Sequence, residues 1–281
     1  MCDSTDVVAG LRDGGFAKLG INTQQTLAYV PATYGTTTET NVVVNQGGVL
    51  KTKTYRMVDS LSYMVPYEFE AEKIENPRTL AASSIPYTFC VPYKMNVPQY
   101  ARAYKLSSRD GNSLVFEEVK GELQTMQPYL LKVVGNKRLR KMSTTLNTDI
   151  QQTIPASGVM TYGRQVDAPG YSMRGTFDAI SNAQAAEYGA YILQSDGDWH
   201  PVSTDNQKAE ILPFRAFLLP SARNAAARLS MSLVDDTTGI DNIETIDEDG
   251  TRRYYDLNGR ELPGKPAQGV YIYNGKKYMM K

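Results

Sequence analysis

Ala101-Arg102-Ala103-Tyr104-Lys105-Leu106, then Arg109-Asp110-Gly111-Asn112, then Ser113-Leu114-Val115-Phe116-Glu117-Glu118-Val119: the reading of this stretch decides the fold class. Two runs of alternating apolar and polar residues flank a turn whose Asp and Gly tolerate positive φ, so the segment reads as a β-hairpin. It is followed by Pro128-Tyr129-Leu130-Leu131, and the whole pattern is echoed downstream. Tyr191-Ile192-Leu193, an Asp196-Gly197 turn, Trp199 to Val202, Pro213-Phe214 and Ala216-Phe217-Leu218-Leu219 repeat the order strand, Asp-Gly turn, strand, Pro-aromatic, strand. This weak repeat predicts two antiparallel sheets with similar apolar faces, and a β-sandwich is their natural closure.

Outward from this region the strand signals continue. Val42-Val43-Val44, the Gly47-Gly48 turn and the alternating Leu50 to Tyr55 predict a hairpin. Tyr67 to Ala71 alternates after Pro66, and Pro86 and Pro92 interrupt the apolar run Thr79 to Tyr93, which places edges or bends there. Tyr129 to Val134 reads as a buried strand. Residues 1–40 are polar, with a short strand only at Leu27 to Val30. Ala183 to Tyr188 suits a turn or two of helix, and Ala222 to Leu229 suits either helix or loop.

The expected organisation is an all-β chain. Residues 1–78 are a β-rich segment belonging to a truncated upstream unit, 79–234 an antiparallel β-sandwich module, 235–239 an acidic linker, and 240–281 a small β-hairpin domain. In the last, Asn242 to Ile246, Arg252 to Leu257, Val270 to Tyr273 and Lys277 to Met280 are separated by turn residues that include Asn258-Gly259 and Asn274-Gly275. Asn-Gly meets the positive-φ demand of both central positions of a type I′ turn.

Composition narrows the function classes. Lys and Arg total 30, as do Asp and Glu, so no long-range field gathers nucleic acid. Nineteen Tyr, one Trp and 22 Gly suit pleated strands and their turns. The apolar run around Phe214 to Leu219 falls far short of the roughly 18 residues a membrane helix needs, so no transmembrane segment is expected. Two cysteines, Cys2 and Cys90, make no disulfide framework. No basic stretch followed by an apolar core opens the sequence as given, which reads as a fragment lacking its signal peptide.

The segments Tyr254-Tyr255-Asp256-Leu257-Asn258-Gly259-Arg260 and Gly269-Val270-Tyr271-Ile272-Tyr273-Asn274-Gly275-Lys276-Lys277, with terminal Lys281, resemble the C-terminal tails of secreted and surface proteins of Bacteroidales-type bacteria. Such tails are similar to the sorting domains of the type IX secretion pathway, which are small β-sandwiches. This sequence lacks the Tyr-Pro-Asn-Pro opening that many of them carry. Upstream, Thr40 to Val44, Tyr87-Thr88-Phe89-Cys90-Val91-Pro92-Tyr93 and Met126-Gln127-Pro128-Tyr129-Leu130 resemble the β modules of large surface proteins, including leucine-rich-repeat adhesins. The resemblance implies a secreted or outer-surface, non-catalytic display module. Its tail would meet export machinery or the cell envelope through Tyr255, Leu257, Gly259, Arg260, Gly269, Tyr271, Asn274, Gly275 and Lys281. The competing reading is an adhesin-like module that holds a glycan or a host protein. A hydrolase is the remote one.

Catalytic chemistry finds little to stand on. His200 is the sole histidine, which excludes multi-His metal sites. A Cys90–His200 pair is set against a Cys in an apolar strand, and Glu117-Glu118 is set against strand alternation that sends the two carboxylates to opposite faces. Asp235-Asp236, Asp241 and Asp247-Glu248-Asp249 offer oxygens for calcium but equally suit solvated turns, and no metal or cofactor is expected. The basic run Lys137 to Lys141 suits a solvated strand edge. Trp199 is the one ligand-binding candidate: its ring either stacks on a sugar or packs into the core with its N–H on a carbonyl.

Overall fold

Positive backbone φ at both Gly47 (63°) and Gly48 (90°) folds Val42–Gln46 back onto Val49–Arg56, and this hairpin seeds the first of three five-stranded sheets. The computed structural model describes residues 15–134, 143–158, 162–205, 209–222, 228–235, 254–256, 260–262, 269–273 and 276–280. They form an all-β protein of several sheets with mostly antiparallel pairing. The chain divides into two compact units, Met1–Val234 and Asp235–Lys281. Among the described residues no helix is long and apolar enough to cross a membrane.

In the first sheet the order is Ala28–Val30, Val42–Gln46, Val49–Arg56, Phe69–Glu75, Gln152–Ile154. Its two outermost pairings differ: Ala28–Val30 runs parallel to its neighbour, and Gln152–Ile154 runs antiparallel to Phe69–Glu75. Strands from both sides of residue 78 therefore share one sheet, and the segment 1–78 is continuous with the rest of the first unit. Long-range pairing overrides chain order here, since nothing local to Phe69–Glu75 announces a partner so far along the sequence.

Ser230–Val234, Ser113–Val119, Ala101–Asp110, Tyr129–Val133 and Tyr87–Phe89 make the second sheet; Tyr162–Ala168, Tyr171–Thr176, Arg215–Pro220, Tyr191–Leu193 and Trp199–Pro201 make the third. The sequence echo has a topological counterpart. Ala101–Asp110 lies between its hairpin partner and Tyr129–Val133, just as Tyr191–Leu193 lies between its hairpin partner and Arg215–Pro220. Tyr87–Phe89, which comes directly after Pro86, is an edge strand, where a missing N–H costs least. Ser181 starts the helix Asn182–Glu187 with a capping box closed by Gln184.

Alternation along the second sheet feeds two cores. Phe89, Ala103, Tyr129, Leu131 and Val133 join Val43, Tyr55, Phe69 and Ile74 of the first sheet. Tyr104, Leu106, Leu114, Phe116 and Leu130 join Met173, Tyr191, Trp199 and Leu218 of the third. Covered on both faces, Tyr129–Val133 has little need of polar alternation, which is why it is apolar but for Lys132.

One close approach explains two glycines. A Cβ on Gly163 would lie 2.5 Å from the Cys90 sulfur and 2.8 Å from the Met126 carbonyl oxygen, and one on Gly175 would overlap both Cys90 Sγ and Cβ. Strands Tyr162–Ala168 and Tyr171–Thr176 thus present a bare backbone to the Cys90 thiol.

Candidate functional site

Between the strand ending at Arg56 and the one beginning at Phe69 the chain makes a long irregular connection, and this connection helps build a large, mainly apolar concavity. Its flanks are pinned. Tyr63 N–H donates to the Phe177 carbonyl at 2.9 Å, its hydroxyl donates to the Pro155 carbonyl, and Val65 and Ser157 exchange backbone and side-chain bonds at 2.7–3.1 Å. Asp59 takes a two-pronged ion pair from Arg215 at 2.8 and 2.9 Å. Met57, Tyr63 and Val65 are buried accordingly.

Between and beside these anchors stand side chains the core does not use. Leu61 is 55% exposed, Met64 79% and Tyr67 62%. Scattered apolar exposure needs no explanation, but Leu61 and Met64 stand on one pinned connection and line the same concavity. Behind them opens a groove of about 670 Å³. Leu27, Tyr29, Tyr55, Met57, Tyr63 and Phe214 supply its apolar lining.

Electrostatically the groove is neutral. Burial pushes the Tyr29 phenol up to about 12, and drives those of Tyr55 and Tyr63 higher still, so all three hydroxyls stay protonated. The Asn41 amide is occupied at both ends by the Arg56 backbone, at 2.9 and 2.6 Å. Arg56 itself pairs with Glu75 at 3.2 Å. Phe214, at the back of the groove, holds φ at 61°, a conformation that costs a bulky side chain about 1–2 kcal/mol. Its N–H and C=O are bonded to Thr176 and Cys90, which keep it there. The arrangement suits recognition of apolar groups and offers no ionised nucleophile or base.

The sequence candidates fall elsewhere. Trp199 is fully buried, its ring stacked on Phe116 at 6.3 Å with 9° between planes. This corrects the idea of a sugar-stacking ring: both faces belong to the core between the second and third sheets. The expected N–H bond is missing too, since Trp199 Nε1 is buried with no hydrogen-bond partner. Cys90 is buried, desolvation pushes its thiol well above the usual range, and among the described residues no hydrogen bond joins it to His200. His200 instead places Nε2 2.8 Å from Asp196 Oδ2, and the Asp198 N–H together with His200 holds the Asp196 carboxyl below its ordinary value. Among the described residues no three His, Cys, Asp or Glu side chains gather as a metal site. The run 137–141, Asp236, Asp241 and Asp247 to Asp249 lie outside the described residues.

In the C-terminal unit, Tyr254–Tyr255, Glu261–Leu262, Gly269–Tyr273 and Lys276–Met280 form an antiparallel sheet. Tyr255 pairs across the sheet with Ile272, and Tyr271 is buried with its ring 5.7 Å from that of Tyr254. Arg260 closes the first turn: its N–H donates to the Asp256 carboxylate at 2.8 Å and its carbonyl accepts from Asp256 N–H at 2.9 Å. Gly269 opens the third strand; Leu257, Gly259, Asn274, Gly275 and Lys281 lie outside the described residues. No family model, no curated protein and no solved structure matches this chain.

Sequence reading missed the groove. The signal was present in Met57-Val58-Asp59-Ser60-Leu61-Ser62-Tyr63-Met64-Val65, an apolar-rich connection without strand alternation or helix spacing. A loop so rich in apolar residues needs a use for them.

Proposed function

We propose that the chain is a non-catalytic structural or display module of a secreted or cell-surface protein, in which Met1–Val234 is the displayed body and Asp235–Lys281 a sorting or anchoring element. The observation that carries this reading is the division of the chain into those two compact units, the smaller of which sets its Tyr-Tyr-Asp and Gly-Val-Tyr-Ile segments on paired strands. The first unit supports a scaffold role by its chemistry. Its lone described thiol is buried and protonated, its histidine is engaged by a neighbouring carboxylate on an exposed turn, and its buried Tyr55 phenol is held neutral.

The test is a chain ended after Val234, expressed in the bacterium that carries the gene and followed by cell fractionation and protease shaving. The shortened chain melts cooperatively but stays inside the cell, while the full chain reaches the surface. Equal surface delivery of both refutes the sorting role.

A further inference from the structure

We infer that the groove and the strand edge beside it bind an extended segment of a partner polypeptide whose alternate side chains are apolar. The inference rests on the first unit alone and stands whether or not the tail directs export. Two independent features meet here. The first is the apolar groove with Leu61 and Met64 exposed on it.

The second is the edge of the first sheet, which no strand covers among the described residues. Ala28–Val30 is its terminal strand, and Leu27 and Tyr29 of this strand and its approach line the groove. In a parallel ladder alternate residues turn their backbone groups to the neighbouring strand. Ala28 N–H donates to the Asn41 carbonyl at 2.9 Å, so Ala28 and Val30 face the neighbour and the N–H and C=O of Tyr29 face outward. Among the described residues neither group is bonded, and a free donor and acceptor on a sheet edge are a template for another strand.

This pairing of features selects the occupant. A lipid or a small apolar molecule fills the groove but leaves the edge unused, and a glycan would use the polar rim of Gln25, Thr26 and Ser62 but neither the edge backbone nor the exposed Leu61 and Met64, while the Asn41 amide is already engaged. An added strand uses both, since its backbone bonds Tyr29 while every second side chain turns the same way, toward the groove. The pinned connection gives the patch a fixed shape before binding, which limits the ordering cost.

The experiment selects peptides of about ten random residues, displayed on phage, against the full chain, and measures a synthetic winner by calorimetry and amide exchange. Leu61→Lys and Met64→Lys alter exposed side chains, and thermal melts confirm that each variant folds. We expect winners with alternating apolar residues, binding at least roughly tenfold weaker to either lysine variant, and slowed exchange of the Tyr29 amide in the complex. Winners without alternation, affinity indifferent to both lysines, or an unprotected Tyr29 amide in a saturated complex each overturn the inference.

Discussion

Replacing Gly175 by Ala tests the account of how the third sheet meets the second. The added methyl carbon lands on the Sγ and Cβ of Cys90, a residue that is itself completely buried and has no free space to retreat into. Because the new atom is fixed to the backbone of a strand paired on both sides, it relieves the overlap only by moving that strand or the segment after Phe89 that carries Cys90. Overpacking of this kind costs about 3 kcal/mol. For a unit of this size that lowers the melting temperature by about 6–12 °C. Trp199, the only tryptophan and buried between the same two sheets, reports the unfolding of the first unit by fluorescence in a urea titration. Cys90→Ala removes one of the two overlapping atoms, so in the double variant Gly175→Ala costs less than it does alone, with a coupling of about 1 kcal/mol or more. A Gly175→Ala protein with an unchanged urea midpoint, or a cycle with no coupling, refutes the reasoning.

Trp199→Phe discards the orphaned indole N–H together with some packing, so it costs about 1.5 kcal/mol or less, whereas Trp199→Ala costs about 3–5 kcal/mol; denaturation followed by circular dichroism separates them, and equal losses show that the N–H is bonded after all. Asp59→Asn breaks the two-pronged pair with Arg215 that pins the groove connection, and since both side chains are partly solvated it lowers stability by about 1–2 kcal/mol and speeds amide exchange at Leu61 to Met64. Above about pH 9 the protein loses stability. Burial raises the Cys90 thiol above its ordinary value of 9.0 and the Tyr29 phenol from 10.0 to about 12, so the unfolded chain releases these protons before the folded one does. This contribution is undiminished below the unfolded values and is lost as pH rises from them toward the folded ones, which urea midpoints measured from pH 8 to 11 will show.

Much of the fold was legible because strand, turn and burial signals agree locally. Gly47, Gly48 and Gly111 take the positive φ that their turns need, although the second turn falls one residue later than expected, with Asp110 still in the strand opposite Ser113, and the echo around Tyr104 and Tyr191 reappears as the same strand order in two sheets. Register across long distances was not legible. Gln152–Ile154 closing the first sheet, or Ser230–Val234 running parallel to Ser113–Val119, depends on which faces remain open after the hairpins have formed, and period-two alternation carries no record of that choice.

The candidate site was hidden for a related reason. Trp199 is a lone large aromatic beside polar residues, yet His200 follows it because neighbours along a strand point to opposite faces, and that alternation argues for a buried ring; Asp198, just before the strand, is itself buried. The inverse holds at the groove. Leu61, Met64 and Tyr67 are apolar residues on a connection whose buried quota is already met by Met57, Tyr63 and Val65, and whose backbone and side chains are tied to distant segments at Pro155, Ser157, Phe177 and Arg215. A connection held that firmly by its anchors does not need its exposed apolar side chains for folding. Leu61 and Met64 share their groove with Tyr29 of the edge strand Ala28–Val30, so an apolar surface and a strand edge meet at one place.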